Sequence, residues 1–280
     1  MASVTKVLVT GGTGKTGRGV VRTLESQGVA VRTASRHPTG RNAVRFDWMD
    51  EGTYDAALDG VDGIYLVAPA GVLDPAPVMS GLIERAIARG VRRFVLLSSS
   101  AIPMDGPATG KVHRVLADCA PEWVVLQPSW FMQNFTVAHH GDSIRRERKI
   151  YSATGEAPIA FIDADDIGET AAACLCADQL PNDGVILTGP RAHTYDEVAA
   201  LISEASGARV EHVRLNQEQL ARRFNAVGLP NDYAELLAQL DAFLAGGSEA
   251  RTTDHVAVLT GHPARSFKAF AQLNRDSWKA

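Results

Sequence analysis

Short uninterrupted apolar runs alternate with amphipathic stretches along the first 130 residues. The runs Val4–Thr10, Val29–Ala34, Ala43–Phe46, Gly63–Val67, Arg93–Ser98 and Trp123–Leu126 have the length of strands, and apolar residues fall on both faces. Strands of that kind are buried on both sides, as in a parallel sheet covered by helices. Between them, Lys15–Gln27 places Val20, Val21 and Leu24 on one helical face and stops at Gly28. Thr53–Leu58, Pro77–Arg89 and Lys111–Cys119 read as further helices. The expected fold class is α/β, a doubly wound parallel sheet of the Rossmann kind.

The second half is less regular. Ile144–Ile150 is charged and is expected to be exposed. Ile159–Ile162, Val185–Leu187 and Val210–Leu215 read as strands. Asp166–Ala177, Tyr195–Ser206, Gln217–Arg223, Ala234–Ala245 and Phe267–Leu273 read as helices. Thr194 and Glu197 have capping-box spacing at the start of the Tyr195 helix, and Gly207 ends it. The expected division is a dinucleotide-binding domain at 1–135 and a smaller α/β substrate lobe at 136–280, with some lobe segments returning to the main sheet.

Composition narrows the class. The chain has 280 residues, is 45% hydrophobic and 21% charged, and has a net charge of −4. These are ordinary globular values. No basic stretch marks a nucleic-acid surface, and no apolar run reaches the roughly 18 residues of a membrane span. The start MASVTKVLVTGG enters a strand without a signal-peptide core. A cytoplasmic protein is expected, monomer or homodimer, acting on a small molecule, with neither nucleic acid nor membrane as partner. Cys119, Cys174 and Cys176 form no C-x-x-C, and the adjacent pair His139-His140 lacks a carboxylate at metal-ligand spacing, so no metal is expected.

The stretch VTGGTGKTGRG (9–19) carries the first chemical signal. Gly14-Lys15-Thr16 suggests a P-loop, but the glycine required five residues earlier is Val9. Gly12, Gly14 and Gly17 satisfy G-x-G-x-x-G, and Thr10, Gly11, Gly14 and Gly17 satisfy T-G-x-x-G-x-x-G. With a strand before and a helix after, Gly11 permits the tight turn. Gly14 lets the backbone approach a pyrophosphate, and Gly17 lets helix and sheet pack closely. The helix N-terminus then offers N–H groups to the phosphates. The second strand ends Ala34-Ser35-Arg36, without the acid that would bond the ribose hydroxyls of NAD. A guanidinium and a hydroxyl suit a 2′-phosphate, with Lys15 and Arg41 adding charge, so the expected cofactor is NADP(H).

Several motifs resemble one family. They are TGGTGKTG, ASR, LVAP (66–69), LLSSS (96–100), LQPSWFMQNF (126–135), FIDADDIGETAA (161–172), LTGPRAHTYDEVAALIS (187–203) and TGHPARSFKAFA (260–271). Across nearly the whole chain they resemble the NmrA-like branch of the atypical short-chain dehydrogenases. Within it they look most like the group holding the festuclavine and agroclavine dehydrogenases of ergot alkaloid biosynthesis and their bacterial relatives. LQPSWFMQNF matches the branch signature, with Gln127 where arginine is usual. The resemblance implies that Gly11, Thr13, Gly14, Lys15 and Thr16 line the pyrophosphate. It places Ser35 and Arg36 on the 2′-phosphate, Asp47 and Trp48 beside the adenine, and Ala68 and Pro69 along the ribose. Ser98 and Ser99 fall on the nicotinamide side, and Trp130, Phe131 and Asn134 near nicotinamide and substrate.

Typical short-chain dehydrogenases carry Tyr-x-x-x-Lys on the helix after the fifth strand. Here that helix is GKVHRVLADCA, with no tyrosine. His113, on this helix, is the catalytic candidate, either a proton donor near neutral pH or only a hydrogen-bonding neighbour. The run Asp163, Asp165, Asp166 is read as structural, with Asp166 capping the following helix. A substrate that arrives as an iminium needs no proton, because hydride alone completes its reduction. The expected function is an NADPH-dependent reductase acting on a C=N bond of a small cyclic or aromatic molecule. A quinone or azo reductase is one alternative, and a non-catalytic NADP-sensing regulator is another.

Overall fold

The computed structural model of the chain describes residues 4–279. Its elements run β1 (Lys6–Thr10), α1 (Gly17–Ser26), β2 (Ala30–Ser35), β3 (Ala43–Arg45), α2 (Tyr54–Leu58), β4 (Gly63–Leu66), α3 (Ala76–Ala88), β5 (Arg93–Leu97), α4 (Thr109–Cys119) and β6 (Glu122–Pro128). There follow α5 (Ala138–Glu147), β7 (Lys149–Ser152), α6 (Ala164–Cys176), β8 (Asp183–Leu187), α7 (Tyr195–Ser206) and β9 (Glu211–Arg214). The last are α8 (Gln217–Ala226), α9 (Asn231–Leu244), α10 (His255–Thr260) and α11 (Phe267–Leu273).

Seven strands form one sheet in the order β3-β2-β1-β4-β5-β6-β8, and every pairing is parallel. Each strand therefore needs a crossover, and the crossovers supply the helices that cover its faces. Val7, Leu8 and Val9 of β1 are fully buried, as the unbroken apolar run requires. The strand order reverses at β1, so the crevice beyond the carboxyl ends of β1 and β4 is where a doubly wound sheet binds its ligand.

The chain divides into two compact units. One holds the large sheet and takes the chain up to Pro128, then Ala164–Leu187 and His255–His262. The other holds Ser129–Asp163, Thr188–Asp254 and the chain from Pro263. Residues 129–135, placed with the first domain by the sequence, lie in the second unit because Phe135 packs there against Phe161, Tyr195 and Phe267. In the first unit α6 crosses α1 glycine on glycine. A Cβ on Gly168 would stand 2.9 Å from backbone atoms of Gly19 and from the Thr16 carbonyl. Glycine at both positions brings α6 against the start of α1.

Three expectations are corrected in the second half of the chain. Residues 144–150 are not an exposed segment. They form the end of α5 and the start of β7, with Ile144 and Ile150 fully buried. The charges of Arg145, Arg146 and Glu147 occupy the outer face, while Arg148 turns the chain at a left-handed φ of 56°. β7 then pairs parallel with β9. Residues 159–162 make only isolated bridges, Ile159 to His193 and Ile162 to Phe131. Asp166 is not the N-cap residue of α6. The helix begins at Ala164, so Asp166 lies inside its first turn. The capping box of α7 is present, with Thr194 and Glu197 each bonding the other's backbone N–H.

Candidate functional site

β1 ends at Thr10, and the chain turns on Gly11 at a φ of 62°, where L side chains are strained. The Gly14 N–H donates to the Gly11 carbonyl at 2.8 Å, closing the turn. A Cβ on Gly17 would lie 2.2 Å from that carbonyl oxygen, so the first residue of α1 sits directly on the turn. Thr16 precedes the helix without a side-chain cap, and the first turn of α1 has no acidic residue. The exposed end of the helix thus favours an anion, through its N–H groups and its dipole. Lys15 stands beside it, and partial desolvation holds its ammonium below the usual lysine range.

Two hydroxyls under the turn fix its position. The Thr10 Oγ1 donates to the Tyr65 carbonyl at 3.0 Å and accepts from the Val67 N–H at 2.7 Å, tying β1 to β4. The fully buried Tyr65 donates its phenol to Thr16 Oγ1 at 2.9 Å. Burial pushes the phenol pKa well above its ordinary value, so it remains a donor. This contact escaped the sequence reading. The only hint was a polar tip in the otherwise apolar run GIYL.

The remaining cofactor candidates follow the carboxyl ends of neighbouring strands. Ser35 ends β2 and Arg36 follows it, Asp47 and Trp48 come just after β3, Ala68 and Pro69 after β4, and Ser98 and Ser99 after β5. With the glycine turn after β1, they make one continuous row along β3-β2-β1-β4-β5. Trp48 packs edge-on against Phe46, with ring centroids 4.9 Å apart, and its carbonyl accepts from Tyr54. Asp47 accepts from the Met49 N–H at 3.0 Å. Ser98 Oγ pairs with Thr109 Oγ1 at 2.8 Å, and Ser99 Oγ accepts from the Ala101 N–H.

Beside the turn, Gly12, Thr13, Arg18, Thr39 and Arg41 help line a hollow of about 480 Å³. Arg22 also lines it but is held by Asp165 and Glu169 at 3.4 and 3.6 Å. Arg18, Arg36 and Arg41 have no ion pair or side-chain hydrogen bond among the described residues. The unpaired guanidiniums of Arg18 and Arg41 at this hollow, and of Arg36 after β2, leave cationic charge available for an anionic group. Arg18 was not foreseen, because its helix spacing alone does not reveal which side of α1 it leaves from.

His113 does not join the row. Its ring is 4% exposed and packs edge-on against Trp123 at 5.2 Å, near the start of β6 and away from its carboxyl end. Neither ring nitrogen has a hydrogen-bond partner among the described residues. Burial lowers its pKa, so the imidazole is neutral at pH 7.

In the second unit, Trp130, Phe131 and Asn134 are half-buried. Trp130 accepts from the Ile162 N–H at 2.9 Å, and the Met132 N–H donates to Ile162 at 2.8 Å, which splints the segment. Asp163, of the acidic run, is 1% exposed. It accepts from Gln133 Nε2 at 2.6 Å and from Arg265. His139 and His140 lie with ring centroids 4.2 Å apart and tilted by 56°, and His140 stacks on Phe135 inside an aromatic cluster. Among the described residues no helix is long and apolar enough to cross a membrane.

A model of the NAD(P)H-binding family matches residues 11–178. The oxidoreductase YesF of Bacillus subtilis (strain 168) is 42% identical over 275 residues, covering 97% of this chain and 96% of the relative. The agroclavine dehydrogenase of Claviceps fusiformis is 37% identical over 285 residues, covering 97% and 98%. Among solved structures, an NADPH-dependent quinone oxidoreductase of Escherichia coli in complex with NADPH superposes with a TM-score of 0.83. It is 23% identical, with 95% of this chain and 98% of that one covered, a likeness of fold.

Proposed function

The chain belongs to the NmrA-like, NAD(P)H-binding family of oxidoreductases, and from that premise we propose that it is an NADPH-dependent reductase of a C=N bond in a small cyclic or aromatic molecule. The glycine cradle and the unpaired Arg18, Arg36 and Arg41 fit a phosphorylated dinucleotide. Gly11, Thr13, Gly14, Lys15 and Thr16 hold the pyrophosphate, and Ser35 and Arg36 hold the 2′-phosphate with help from Arg41. Asp47 and Trp48 border the adenine, Ala68 and Pro69 the ribose, and Ser98 and Ser99 the nicotinamide. When bound, the cofactor supplies the hydride.

One observation carries the choice of a C=N substrate. α4 offers no acid to the row, since it has no tyrosine and its one imidazole is buried and neutral. An iminium accepts hydride and becomes an amine without a proton, so the chain has only to bind it, orient it and exclude water. Trp130, Phe131 and Asn134, which follow β6 within a few residues, take the substrate. Aromatic faces suit a flat cation. The relation to an agroclavine dehydrogenase supports the same chemistry. A second reading, reduction of quinones or azo compounds, is favoured by the Ser98–Thr109 hydroxyl pair, which is able to pass a proton.

The deciding experiment is NADPH oxidation against cyclic iminium ions, quinones and azo dyes. The proposal expects the iminium ions to turn over fastest. Turnover of quinones or azo dyes alone transfers the assignment to the second reading. Cofactor binding with no turnover on any of them leaves an NADP-sensing regulator.

Two expected results accompany the proposal. Arg36→Ala is expected to weaken NADPH binding by about 10- to 100-fold, the worth of a charge-assisted phosphate contact, and to leave NADH unchanged. Calorimetry on both cofactors measures it, and equal wild-type affinities for the two would overturn it. His113→Ala is expected to change kcat on iminium and quinone substrates alike, because a sealed ring packs and does not deliver protons. A selective loss of about 100-fold or more on quinones would restore the acid role. The same ring has a stability signature. Its folded pKa lies below the ordinary 6.5, so the unfolded chain takes a proton there that the folded chain refuses. Stability from this group is present above pH 6.5 and is lost as pH falls below it, and the variant's unfolding profile should be flatter in that range.

A further inference from the structure

α9 is apolar over more of its circumference than its packing explains. Ala234 and Ala238 face α8, where they join Leu220 and Phe224, and Leu244 enters the larger core of its unit. On another side Tyr233, Leu236, Leu240 and Phe243 are 52%, 44%, 38% and 51% exposed. Half-buried Leu237 connects the two faces. Helices that are apolar nearly all round are normally covered.

The exposed residues are spaced three, four and three apart, the a and d positions of a coiled-coil seam. That spacing reads the same in both directions about the level of residue 238. Two such helices laid antiparallel across a twofold axis would set Leu236 against Leu240 of the other, and Tyr233 against Phe243. Both layers match in size and kind. The positions beside the seam nearest the axis are Leu237 on one side and Gln239 on the other, and each would meet its own twin. Neither is charged, so no like charges meet at the centre.

The area is also informative. With full side-chain areas of about 150–250 Å², the four exposed fractions leave about 300–450 Å² of apolar surface, the size of a patch that is commonly functional. Burying it on two copies, with the flanking rim, removes about 1,000 Å² in total, near the lower limit of specific interfaces. We propose that the exposed face of α9 is a self-association surface, on which a second copy lays its own α9 antiparallel about a twofold axis to form a weak, concentration-dependent dimer.

Sedimentation of the full chain from about 1 to 500 μM, a span that brackets weak association, should show a shift from one chain to two. Leu236→Glu with Leu240→Glu should remain a single chain throughout. Its circular dichroism should match wild type, since both positions face water. Register is tested in a background of Cys119→Ser and Cys176→Ser. An equal mixture of Leu236→Cys and Leu240→Cys chains should oxidise to a linked dimer. Either alone should link far less, because its two sulfurs are offset by about 6 Å along the helices. A wild type that remains single at every concentration, or a glutamate variant that still dimerises, overturns the proposal. So does a single-chain wild type whose glutamate variant shows a raised substrate KM, which would assign the face to the substrate instead.

Discussion

Gly17→Ala is expected to reduce cofactor affinity by at least about 100-fold and to destabilise the fold by about 3 kcal/mol. The added Cβ would lie 2.2 Å from the Gly11 carbonyl oxygen and 2.8 Å from the Gly11 carbonyl carbon and the Gly12 Cα. All three are backbone atoms, with no side chain to swing aside. To make room, the turn must open, and in the proposed function it is the turn that presents its N–H groups to the pyrophosphate. Gly12→Ala is the informative contrast. Its Cβ would meet the Thr33 methyl at 2.4 Å, the end of a side chain that can rotate. A milder loss is expected there. Calorimetry with NADPH and urea unfolding of both variants measure the two effects, and full affinity in Gly17→Ala would show that the turn does not hold the cofactor.

The second large effect concerns Asp163. Asp163→Ala is expected to cost about 3 kcal/mol, the scale for breaking a buried ion pair by removing one partner. The carboxylate accepts from both the buried Gln133 amide and the Arg265 guanidinium. Asp163 is the last residue before the chain leaves the second unit at Ala164, and Arg265 comes just after it returns at Pro263. The pair therefore ties together two crossing points of the chain. Asp163→Asn keeps an acceptor oxygen and should lose about half as much. Urea midpoints decide it. Equal stability of the alanine variant and wild type would show the pair to be incidental.

The glycine turn was legible because its constraints are local. A strand, four spaced glycines and a helix lie within 22 residues, and Gly14 and Gly17 are needed by backbone atoms of the turn only a few residues away. The parallel sheet was legible for a similar reason, since burial on both faces leaves an unbroken apolar run. The α5–β7 segment hid its role because Ile144 and Ile150 are its only fully buried apolar side chains among the described residues, set among charged neighbours. Two apolar residues do not establish a period. α10, with six residues, is too short for its pattern to register. The Asp163–Arg265 pair joins positions 102 apart, and no local pattern carries that information. His113 was located on the correct helix, but its inward direction depends on how α4 docks on the sheet, which spacing alone does not fix.

The order of the seven strands has a consequence for how the protein is made. β6 is an internal strand only because β8 pairs beside it, and β8 is separated from it by 54 residues, of which Ser129–Asp163 belong to the other unit. During synthesis the nascent chain exposes β6, with its apolar centre Trp123–Leu126, as an open edge until residue 187 has emerged from the ribosome. Such an edge is a template for wrong pairing. Release of the chain after β6 would yield an aggregating fragment, and slow translation between β6 and β8 would lengthen the interval in which a chaperone must shield that edge.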